Sequence, residues 1–333
     1  MITLGKFTFT APLVVLAPMA GISDLPFRRL CQQQGCHFTV AEMVNARPEL
    51  LNSAQSQTRM QFDDNPAFPK IVQLAGGDPL FMAEAAQLMQ ARGADVIDIN
   101  MGCPAKKVGQ QNAGSALLSD LPMVEKILAA TVKAVSIPVT LKTRIGFDAN
   151  NINLLTVGAI AADCGIAAIS VHGRHRAQRF KGQAQYREIA ALKAQNRLPV
   201  IVNGDIGSSA QAKQLIQDYG FDGVMIGRAA QGNPWLFAEI RRQVDPKWQA
   251  PPYQPYQDIQ AHIRDLHQLY PEHISALIAR KHLHWYFARH PHYLQQREAI
   301  NSSRDQDSQS AIIRAFETYD SADYEKKRPA IIC

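Results

Sequence analysis

The chain has 333 residues, enough for one large domain or two smaller ones with a core buried without disulfides. Hydrophobic residues make up 46% and charged residues 19%, which excludes disordered, collagen-like and coiled-coil proteins. The 35 Lys and Arg against 29 Asp and Glu give a net charge of +6, which permits a polyanionic partner without requiring one. Neither a secretory leader nor a membrane span is seen, so we expect a cytoplasmic protein.

The cysteines are odd in number and scattered, with no CxxC pair; they are Cys31, Cys36, Cys103, Cys164 and Cys333. This spacing argues against a disulfide framework and against a zinc site, and it is typical of cytosolic proteins. Seven of the ten histidines lie after residue 258, without the spacing of metal ligands. We expect packing and surface roles for them, and no metal.

Short apolar runs rich in Val and Ile recur along the first two thirds of the chain, each followed by a turn and a helix-like stretch. Such runs are typical of strands buried on both faces of a parallel sheet. The eight runs are Val14–Ala17, Phe38–Glu42, Ile71–Leu74, Val96–Asn100, Val139–Lys142, Ala168–His172, Val200–Asn203 and Gly223–Ile226. The helix-like stretches include Pro79–Arg92, Leu121–Val135, Asn153–Cys164 and Ala210–Tyr219. The alternation predicts an α/β fold, a (β/α)8 TIM barrel, with a doubly wound open sheet as the alternative.

The alternation stops at residues 244–257, which carry four prolines and predict an interdomain linker. Beyond it, residues 259–270, 274–290 and 309–319 have helical periodicity and no strand signal. The predicted organisation is a barrel at residues 1–243, the linker at 244–257 and a small domain of about four helices at 258–333.

Polar or special residues stand at the end of every predicted strand, where a barrel of this kind builds its active site. The strand ends read Pro18-Met19-Ala20-Gly21, Glu42-Met43, Gln73, Asp98 to Lys107, Lys142-Thr143-Arg144, His172-Gly173-Arg174, Asn203-Gly204-Asp205 and Gly227-Arg228. A barrel with a purely structural role has no need of these side chains at one rim. The pattern therefore predicts a functional mouth.

The last two strand ends favour a phosphate-binding role, because glycine lets backbone N–H groups approach an anion and Arg228 adds a fork of donors. No GxGxxG follows a strand and no GxxxxGK[ST] occurs, which argues against Rossmann and P-loop nucleotide sites. A mononucleotide such as FMN fits better. Gln73 is then a candidate for the pyrimidine edge of its ring, and Lys142 for the N1 and O2 side.

Cys103 lies in a Gly-Cys-Pro turn just past Asn100. With a neighbouring base or cation a cysteine becomes a nucleophile. With an ordinary pKa it stays protonated at neutral pH and can act as a general acid. The residues alone leave both roles open.

Several strings in this order resemble the tRNA-dihydrouridine synthases. They are Ala17 to Gly21, Asp98 to Pro104, His172-Gly173-Arg174, Asn203 to Ile206 and Met225 to Ala229. Residues Pro104 to Val108 and Arg280-Lys281-His282 are most similar to the bacterial B-type subgroup. The likeness runs from the first residues to about residue 300.

The resemblance implies an FMN barrel followed by a helical tRNA-binding domain. It implies NADPH-driven reduction of the C5–C6 double bond of a D-loop uridine in tRNA. Flavin N5 then gives hydride to C6, and Cys103 gives a proton to C5. A monomer without a metal is expected.

The resemblance also assigns roles to individual residues. Asn100 and Arg144 match uracil contacts, and Gln73, Lys142 and His172 match flavin contacts. Positions lining FMN and its phosphate are Pro18, Met19, Ala20, Asn203, Gly204, Asp205, Gly227 and Arg228. In the loop at residues 174–184, the candidate RNA contacts are Arg174, Arg176 and Arg179.

Two alternatives are carried forward. One is an FMN barrel that reduces a small enone or pyrimidine, which would need neither the helical tail nor the basic loop. The other is a non-catalytic RNA-binding barrel, against which Asn100, Cys103, Lys142 and His172 argue.

Overall fold

A computed structural model describes residues 1–10, 12–63 and 65–327. The chain forms two compact units. The first contains Met1–Ala229 and Leu236–Ala250, and the second contains Ala230–Trp235 and the described residues from Pro251 onward.

The first unit is built around one parallel sheet flanked by helices. The described strands of the chain are β1 (Ile2–Leu4), β2 (Phe7–Phe9), β3 (Leu13–Leu16), β4 (Phe38–Thr39), β5 (Val44–Asn45), β6 (Ile71–Ala75), β7 (Val96–Met101), β8 (Val139–Arg144), β9 (Gly146–Asp148), β10 (Asn151–Ile152), β11 (Ala168–His172), β12 (Val200–Asn203) and β13 (Gly223–Ile226). Nine of these pair in parallel in the order β4-β3-β13-β12-β11-β8-β7-β6-β5. The pairs β1–β2 and β9–β10 are separate antiparallel hairpins.

The sheet closes on itself through one stretch of chain, residues 38–45. Its first part, β4, pairs with β3, and its second part, β5, pairs with β6. Between them, the Ala41 N–H donates to the Ile71 carbonyl (3.1 Å). The two edge strands are therefore halves of one interrupted strand. The (β/α)8 barrel is confirmed, and the strand predicted at Phe38–Glu42 is corrected to two short pieces.

The strands are buried on both faces, as their Val- and Ile-rich sequences predict. Leu13, Val15, Ile71, Ile201 and Met225 belong to one buried apolar cluster of the barrel unit. The barrel is thus a packed core, and only its C-terminal rim is left for chemistry.

The described helices of the first unit are α1 (Leu25–Gln33), α2 (Pro48–Leu51), α3 (Ala54–Arg59), α4 (Pro79–Ala91), α5 (Lys106–Gly109), α6 (Leu121–Ala134), α7 (Leu154–Asp163), α8 (Arg187–Ala194), α9 (Ser209–Tyr219) and α10 (Leu236–Val244). Three of them begin alike, with an aspartate cap followed by proline in the first turn. Asp24, Asp78 and Asp120 accept hydrogen bonds from first-turn amides of α1, α4 and α6. These caps satisfy N–H groups that lack helical partners, which is why the helices start there.

The compact units cut the chain differently from the predicted segments 1–243, 244–257 and 258–333. Trp248, inside the predicted linker, packs in the barrel unit, with the Arg241 guanidinium 4.8 Å from its ring centroid. A Cβ on Gly35 would lie 2.5 Å from that indole, so only glycine lets it approach. Conversely, Trp235 belongs to the helical unit, where its indole N–H donates to Asp258 (2.7 Å). These contacts place Trp248 in the barrel unit and Trp235 in the helical unit.

The second unit is helical, with α11 (Pro255–Leu269), α12 (Glu272–Phe287), α13 (Tyr293–Ser302) and α14 (Gln306–Lys327). Proline at the first position of α11 removes only an N–H that has no helical partner. Ile263, Leu283 and Ile313 form the core, and Phe287 and Phe316 stack with ring centroids 3.8 Å apart. The small helical domain that the sequence predicts is confirmed. No helix among the described residues is long and apolar enough to cross a membrane.

Two histidines lie inside this helical core. His262 of α11 and His282 of α12 are 2% and 0% exposed, and their ring centroids are 4.6 Å apart. Burial lowers the pKa of His262 to about 3 and holds the pKa of His282 well below its ordinary value. Both imidazoles are therefore neutral packing groups at neutral pH. Among the described residues there is no group of three potential metal ligands.

We expect the helical unit to lose stability as the pH falls from about 6.5, the unfolded-state pKa, towards 4. In that window unfolded chains protonate histidines that the folded core keeps neutral. The slope is about 1 kcal/mol per pH unit for each histidine. Denaturant unfolding at pH 4–7, followed by circular dichroism, measures it.

His282→Leu should remove one histidine's share of that slope, whatever it does to stability at pH 7. His273→Asn is the matched control, because His273 is exposed on α12. An unchanged slope in His282→Leu would show that the buried pair does not govern the acid response.

Candidate active site

Strand register brings the predicted residues to the same end of the sheet, at two successive levels. Asn100 of β7 is opposite Lys142 of β8. His172 of β11 is opposite Arg144 on one side and Asn203 on the other. Parallel strands end at the same edge, so these side chains converge on the barrel mouth.

Asn100 holds the turn that carries Cys103. Its Oδ1 accepts hydrogen bonds from the backbone N–H groups of Gly102 (3.1 Å) and Cys103 (2.9 Å). On the other side, the Cys103 carbonyl accepts from the N–H (3.1 Å) and the hydroxyl (2.8 Å) of Ser115. Both contacts of the turn use the backbone of Cys103, so its half-buried thiol is left for chemistry.

The side chain of Asn100 continues inward to Asp98, a residue the sequence analysis noted in the strand but gave no role. Asn100 Nδ2 donates to Gln73 Oε1, and Gln73 Nε2 donates to Asp98 Oδ2, both at 2.7 Å. Thr140 donates to the other carboxylate oxygen of Asp98 (2.7 Å). The available signal was the two-residue spacing of Asp98 and Asn100, which puts both on one face of β7.

Lys142 is a cation enclosed in the mouth. Its Nζ donates to Asn203 Oδ1 (3.2 Å), and Asn203 in turn donates to the Met225 carbonyl (2.7 Å). Burial lowers the pKa of Lys142 to about 8, aided by the charge of Arg144 and opposed by Asp98 and Cys103. The amine thus stays largely protonated at pH 7, and its charge interacts with the Cys103 thiol.

Arg144 joins the Cys103 turn to the loop at residues 174–184. Its side chain is 1% exposed; Nε donates to the Gly102 carbonyl (2.7 Å), and Nη1 donates to the carbonyls of Arg179 (2.8 Å) and His175 (3.3 Å). Burial lowers its pKa to about 10, which leaves it charged at neutral pH. Arg179 has φ +52° with ψ −99°, and this strained conformation turns its carbonyl into the contact.

Arg174, Asp205 and Arg228 form an ion-pair network after β11, β12 and β13. Arg174 is 2% exposed and binds Asp205 through two nitrogens, at 2.9 and 2.6 Å. Its other contacts are the carbonyls of Lys181 and Gly182 and the ring of His172. All five N–H donors of Arg174 are therefore used inside the chain. A substrate contact by Arg174, as predicted, would have to displace one of them.

Asp205 and Arg228 form the solvent-exposed end of this network. Arg228 donates to Asp205 Oδ1 (3.3 Å), and its side chain is 57% exposed. Burial acts to raise the pKa of Asp205, but hydrogen bonds from Arg174 and Ala184 and the charges of both arginines lower it below its ordinary value. The carboxylate is thus ionised and fixed, while Arg228 keeps donors directed outward.

His172 is a neutral imidazole in this network. Burial, together with the charges of Lys142, Arg144, Arg174 and Arg228, lowers its pKa to about 2. Arg174 can only donate, so His172 Nε2 accepts the 3.2 Å hydrogen bond and the ring proton is on Nδ1. The hydrogen bond from Arg174 therefore selects one tautomer.

The remaining predicted residues lie at the rim, and their side chains are outside the hydrogen-bond and ion-pair networks described above. Pro18, Met19 and Ala20 lie in the loop after β3, and a Cβ on Gly227 would be 3.9 Å from Met19 Sδ. Arg176 lies at the rim, its guanidinium 4.9 Å from the ring centroid of Phe147. Arg179 exposes its side chain.

Two further residues contribute to the mouth: Phe180, which the sequence analysis missed, and Glu42, which it placed at a strand end without a role. Phe180 is 55% exposed, with the guanidinium carbons of Arg144 and Arg228 at 5.5 and 5.4 Å from its ring centroid. Glu42 accepts from the Gly21 N–H (2.7 Å) and pairs with Arg59 (3.1 Å), which fixes the loop after β3. An apolar residue in a basic loop was the only signal for Phe180.

The chain is a (β/α)8 barrel with polar and charged side chains gathered at its C-terminal rim, which is typical of barrel enzymes. The chain belongs to the dihydrouridine synthase family: the family described as "Dihydrouridine synthase (Dus)" matches residues 15–321. This confirms the resemblance stated from the motifs.

Similar proteins cover nearly the whole chain. It is 45% identical over 320 residues to tRNA-dihydrouridine synthase B of Pseudomonas aeruginosa, covering 95% of this chain and 96% of that protein. It is 46% identical over 306 residues to tRNA-dihydrouridine synthase B of Vibrio cholerae, covering 91% and 95%. The protein of the same name from Salmonella typhimurium is 43% identical over 307 residues, with 91% and 95% covered. The similarity to the B-type subgroup is confirmed.

Proposed function

We propose that this protein is a cytoplasmic tRNA-dihydrouridine synthase that reduces the C5–C6 double bond of a D-loop uridine, using FMN and NADPH. The observation that carries the proposal is the Cys103 turn, which Asn100 holds beside Lys142 and Arg144 at the barrel mouth. Family membership and similarity to proteins named tRNA-dihydrouridine synthase B over at least nine tenths of the chain support it.

The residues at the mouth fit FMN. Gly204 has φ +116°, and a Cβ there would lie 2.8 Å from His172, so the backbone after β12 runs close to the rim. At Gly227 the nearest atoms to a Cβ are 3.9 Å away, which leaves the backbone after β13 open to an anion. Arg228 supplies exposed donors beside it.

The proposed contacts to FMN follow from these donors. Arg228 and the backbone at Gly227 hold the phosphate, and Gln73, Lys142, His172 and Met19 contact the ring. FMN, when bound there, would supply a hydride for C6 of uracil. Lys142 provides a cation beside the ring, where negative charge accumulates on reduction.

Cys103 then acts as a general acid. Hydride addition at C6 places negative charge on the enolate formed by C5, C4 and O4. The thiol gives its proton to C5, which forms the new C–H bond and leaves a thiolate that solvent protonates. Asn100 and Arg144 are the proposed contacts to uracil, where donors stabilise the enolate oxygen.

The proposed tRNA contacts are basic side chains on both units. Lys106 and Lys107 are exposed next to the Cys103 turn, Arg176 and Arg179 lie in the rim loop, and Lys281 is exposed on α12. Such charges bind phosphates without reading sequence. A uridine stacked in folded tRNA must leave the stack to reach the barrel mouth.

NADPH is proposed to bind at the same mouth before tRNA does, because the sequence contains no separate dinucleotide motif. Steady-state kinetics test this order. Competition between NADPH and tRNA supports it, and simultaneous binding of both contradicts it.

The experiment that tests the function is anaerobic absorption spectroscopy of the purified protein. A flavin band that bleaches with NADPH and returns only with tRNA lacking dihydrouridine is the expected result. Fully modified tRNA and free uridine are the controls. Reoxidation by a small enone in place of tRNA would favour a small-molecule reductase, and absence of a flavin band would support a non-catalytic barrel.

A further inference from the structure

Asp98 ends a directed chain of hydrogen bonds that leads to the Cys103 turn. The order is Asp98, Gln73, Asn100 and then the N–H groups of Gly102 and Cys103, with distances of 2.7, 2.7, 3.1 and 2.9 Å. Asp98 is 4% exposed and two residues before Asn100 on the same strand. It lies beneath the mouth, where it supports side chains that face the mouth.

The direction of this chain is set at its two ends. The backbone N–H groups of the turn can only donate, so Asn100 must present its oxygen to them and its amide nitrogen to Gln73. Gln73 must then present its oxygen to Asn100 and its nitrogen to Asp98. An ionised carboxylate can only accept, so it matches this direction and no other.

We propose that Asp98 is a positioning residue: through Gln73 and Asn100 its carboxylate fixes the turn that holds the Cys103 thiol for proton transfer. This proposal rests on the proposed function in one respect, which is that Cys103 is the residue that transfers the proton. The fixed turn itself is independent of which substrate the thiol serves.

The cost of keeping Asp98 supports a role of this kind. Burial raises its pKa, and the hydrogen bonds from Gln73 and Thr140 and the charge of Lys142 oppose that effect. A buried carboxylate is expensive even when paired, and an apolar residue of similar volume often packs as well. What an apolar residue would not supply here is an acceptor for Gln73.

Two substitutions separate this role from packing. Asp98→Leu fills the space but leaves the buried Gln73 amide nitrogen without its acceptor. Gln73 and Asn100 are then no longer held in one orientation. Asp98→Asn keeps an oxygen for Gln73, but it also permits the reversed orientation, in which Asn100 would present N–H to the N–H groups of the turn. We therefore expect leucine to loosen the turn strongly and asparagine to loosen it partly.

The first measurement is independent of activity. The purified protein is treated briefly with iodoacetamide, and alkylation of Cys103 relative to Cys164 is read by peptide mass spectrometry. Cys164 is the internal reference because it is also half-buried and lies just after α7, outside the strand ends. The ratio should rise several-fold in Asp98→Leu and take an intermediate value in Asp98→Asn.

The second measurement is turnover of tRNA by the flavin-loaded enzyme. A misplaced reacting group costs up to about a hundredfold, so kcat should fall by about ten- to a hundredfold in Asp98→Leu. KM for tRNA should change much less than kcat, because the proposed phosphate contacts are exposed basic side chains that this hydrogen-bond chain does not include. Asp95→Asn, at the other end of β7, is the matched control and should change neither readout.

The two readouts decide the proposal. A Cys103-to-Cys164 ratio in both Asp98 variants equal to that of Asp95→Asn overturns it, even if kcat falls. If leucine prevents folding, the intermediate ratio in Asp98→Asn is the deciding result. Absence of tRNA turnover in the unsubstituted protein would refute the proposed function, while the alkylation ratio would still test the positioning.

Discussion

Cys103→Ala is expected to lower the turnover of tRNA by about 10²- to 10⁴-fold, the range that a positioned general acid contributes. Flavin content and its reduction by NADPH should be unaffected. The reason is structural: Asn100 and Ser115 contact only the backbone of Cys103, which alanine retains. Rapid-mixing measurements of the two half-reactions, with NADPH and then with tRNA, separate these effects.

Cys164→Ala is the matched control, since it removes a thiol of similar burial far from the strand ends. It should leave both half-reactions unchanged. Loss of flavin from Cys103→Ala would show instead that the thiol is structural. Slow reduction by NADPH in that variant would show that Cys103 acts in the half-reaction with NADPH, contrary to the proposal.

The barrel could be predicted because the apolar sequence of each strand indicates that it is buried on both faces. Val200–Asn203 is apolar up to its final Asn203, and Gly223–Ile226 has no polar side chain, as is typical of strands covered on both faces. The bounds of both strands agree with the prediction. The interrupted strand at residues 38–45 was harder, because neighbours on either side decide where each half pairs. Nothing in Phe38–Glu42 itself marks that break.

The sequence predicts where the site residues lie, but it does not predict which residues they contact. Residues at strand ends can be found from periodicity, so Asn100, Lys142 and His172 were identified. Their partners are set by tertiary distance: Asn203 meets Lys142 from 61 residues away, and Asp205 meets Arg174 from 31. The resemblance assigned Arg174 an RNA contact, and only the structure shows that this side chain is buried and paired with Asp205.

Arg174→Leu is expected to destabilise the barrel unit by about 3 kcal/mol, the lower end of the range for breaking a buried ion pair. The lower end applies because Asp205 is 30% exposed and water can partly replace the guanidinium. The change also removes the donors that hold the carbonyls of Lys181 and Gly182, so the loop at residues 174–184 should loosen. Urea unfolding followed by circular dichroism measures the loss.

Arg197→Leu is the matched control, because it breaks an ion pair with Asp163 whose partners are 43% and 68% exposed. Exposed pairs contribute at most about 1 kcal/mol, so this variant should remain close to the original stability. In Arg174→Leu the Asp205 carboxylate keeps only Arg228 and the Ala184 N–H as partners. Adding Asp205→Leu removes that weakly paired carboxylate and should recover part of the loss. Equal losses of unfolding free energy in the two arginine variants would mean that the Arg174–Asp205 ion pair stabilises the protein no more than an exposed pair does. The network could then not be what holds the loop at residues 174–184 to Asp205.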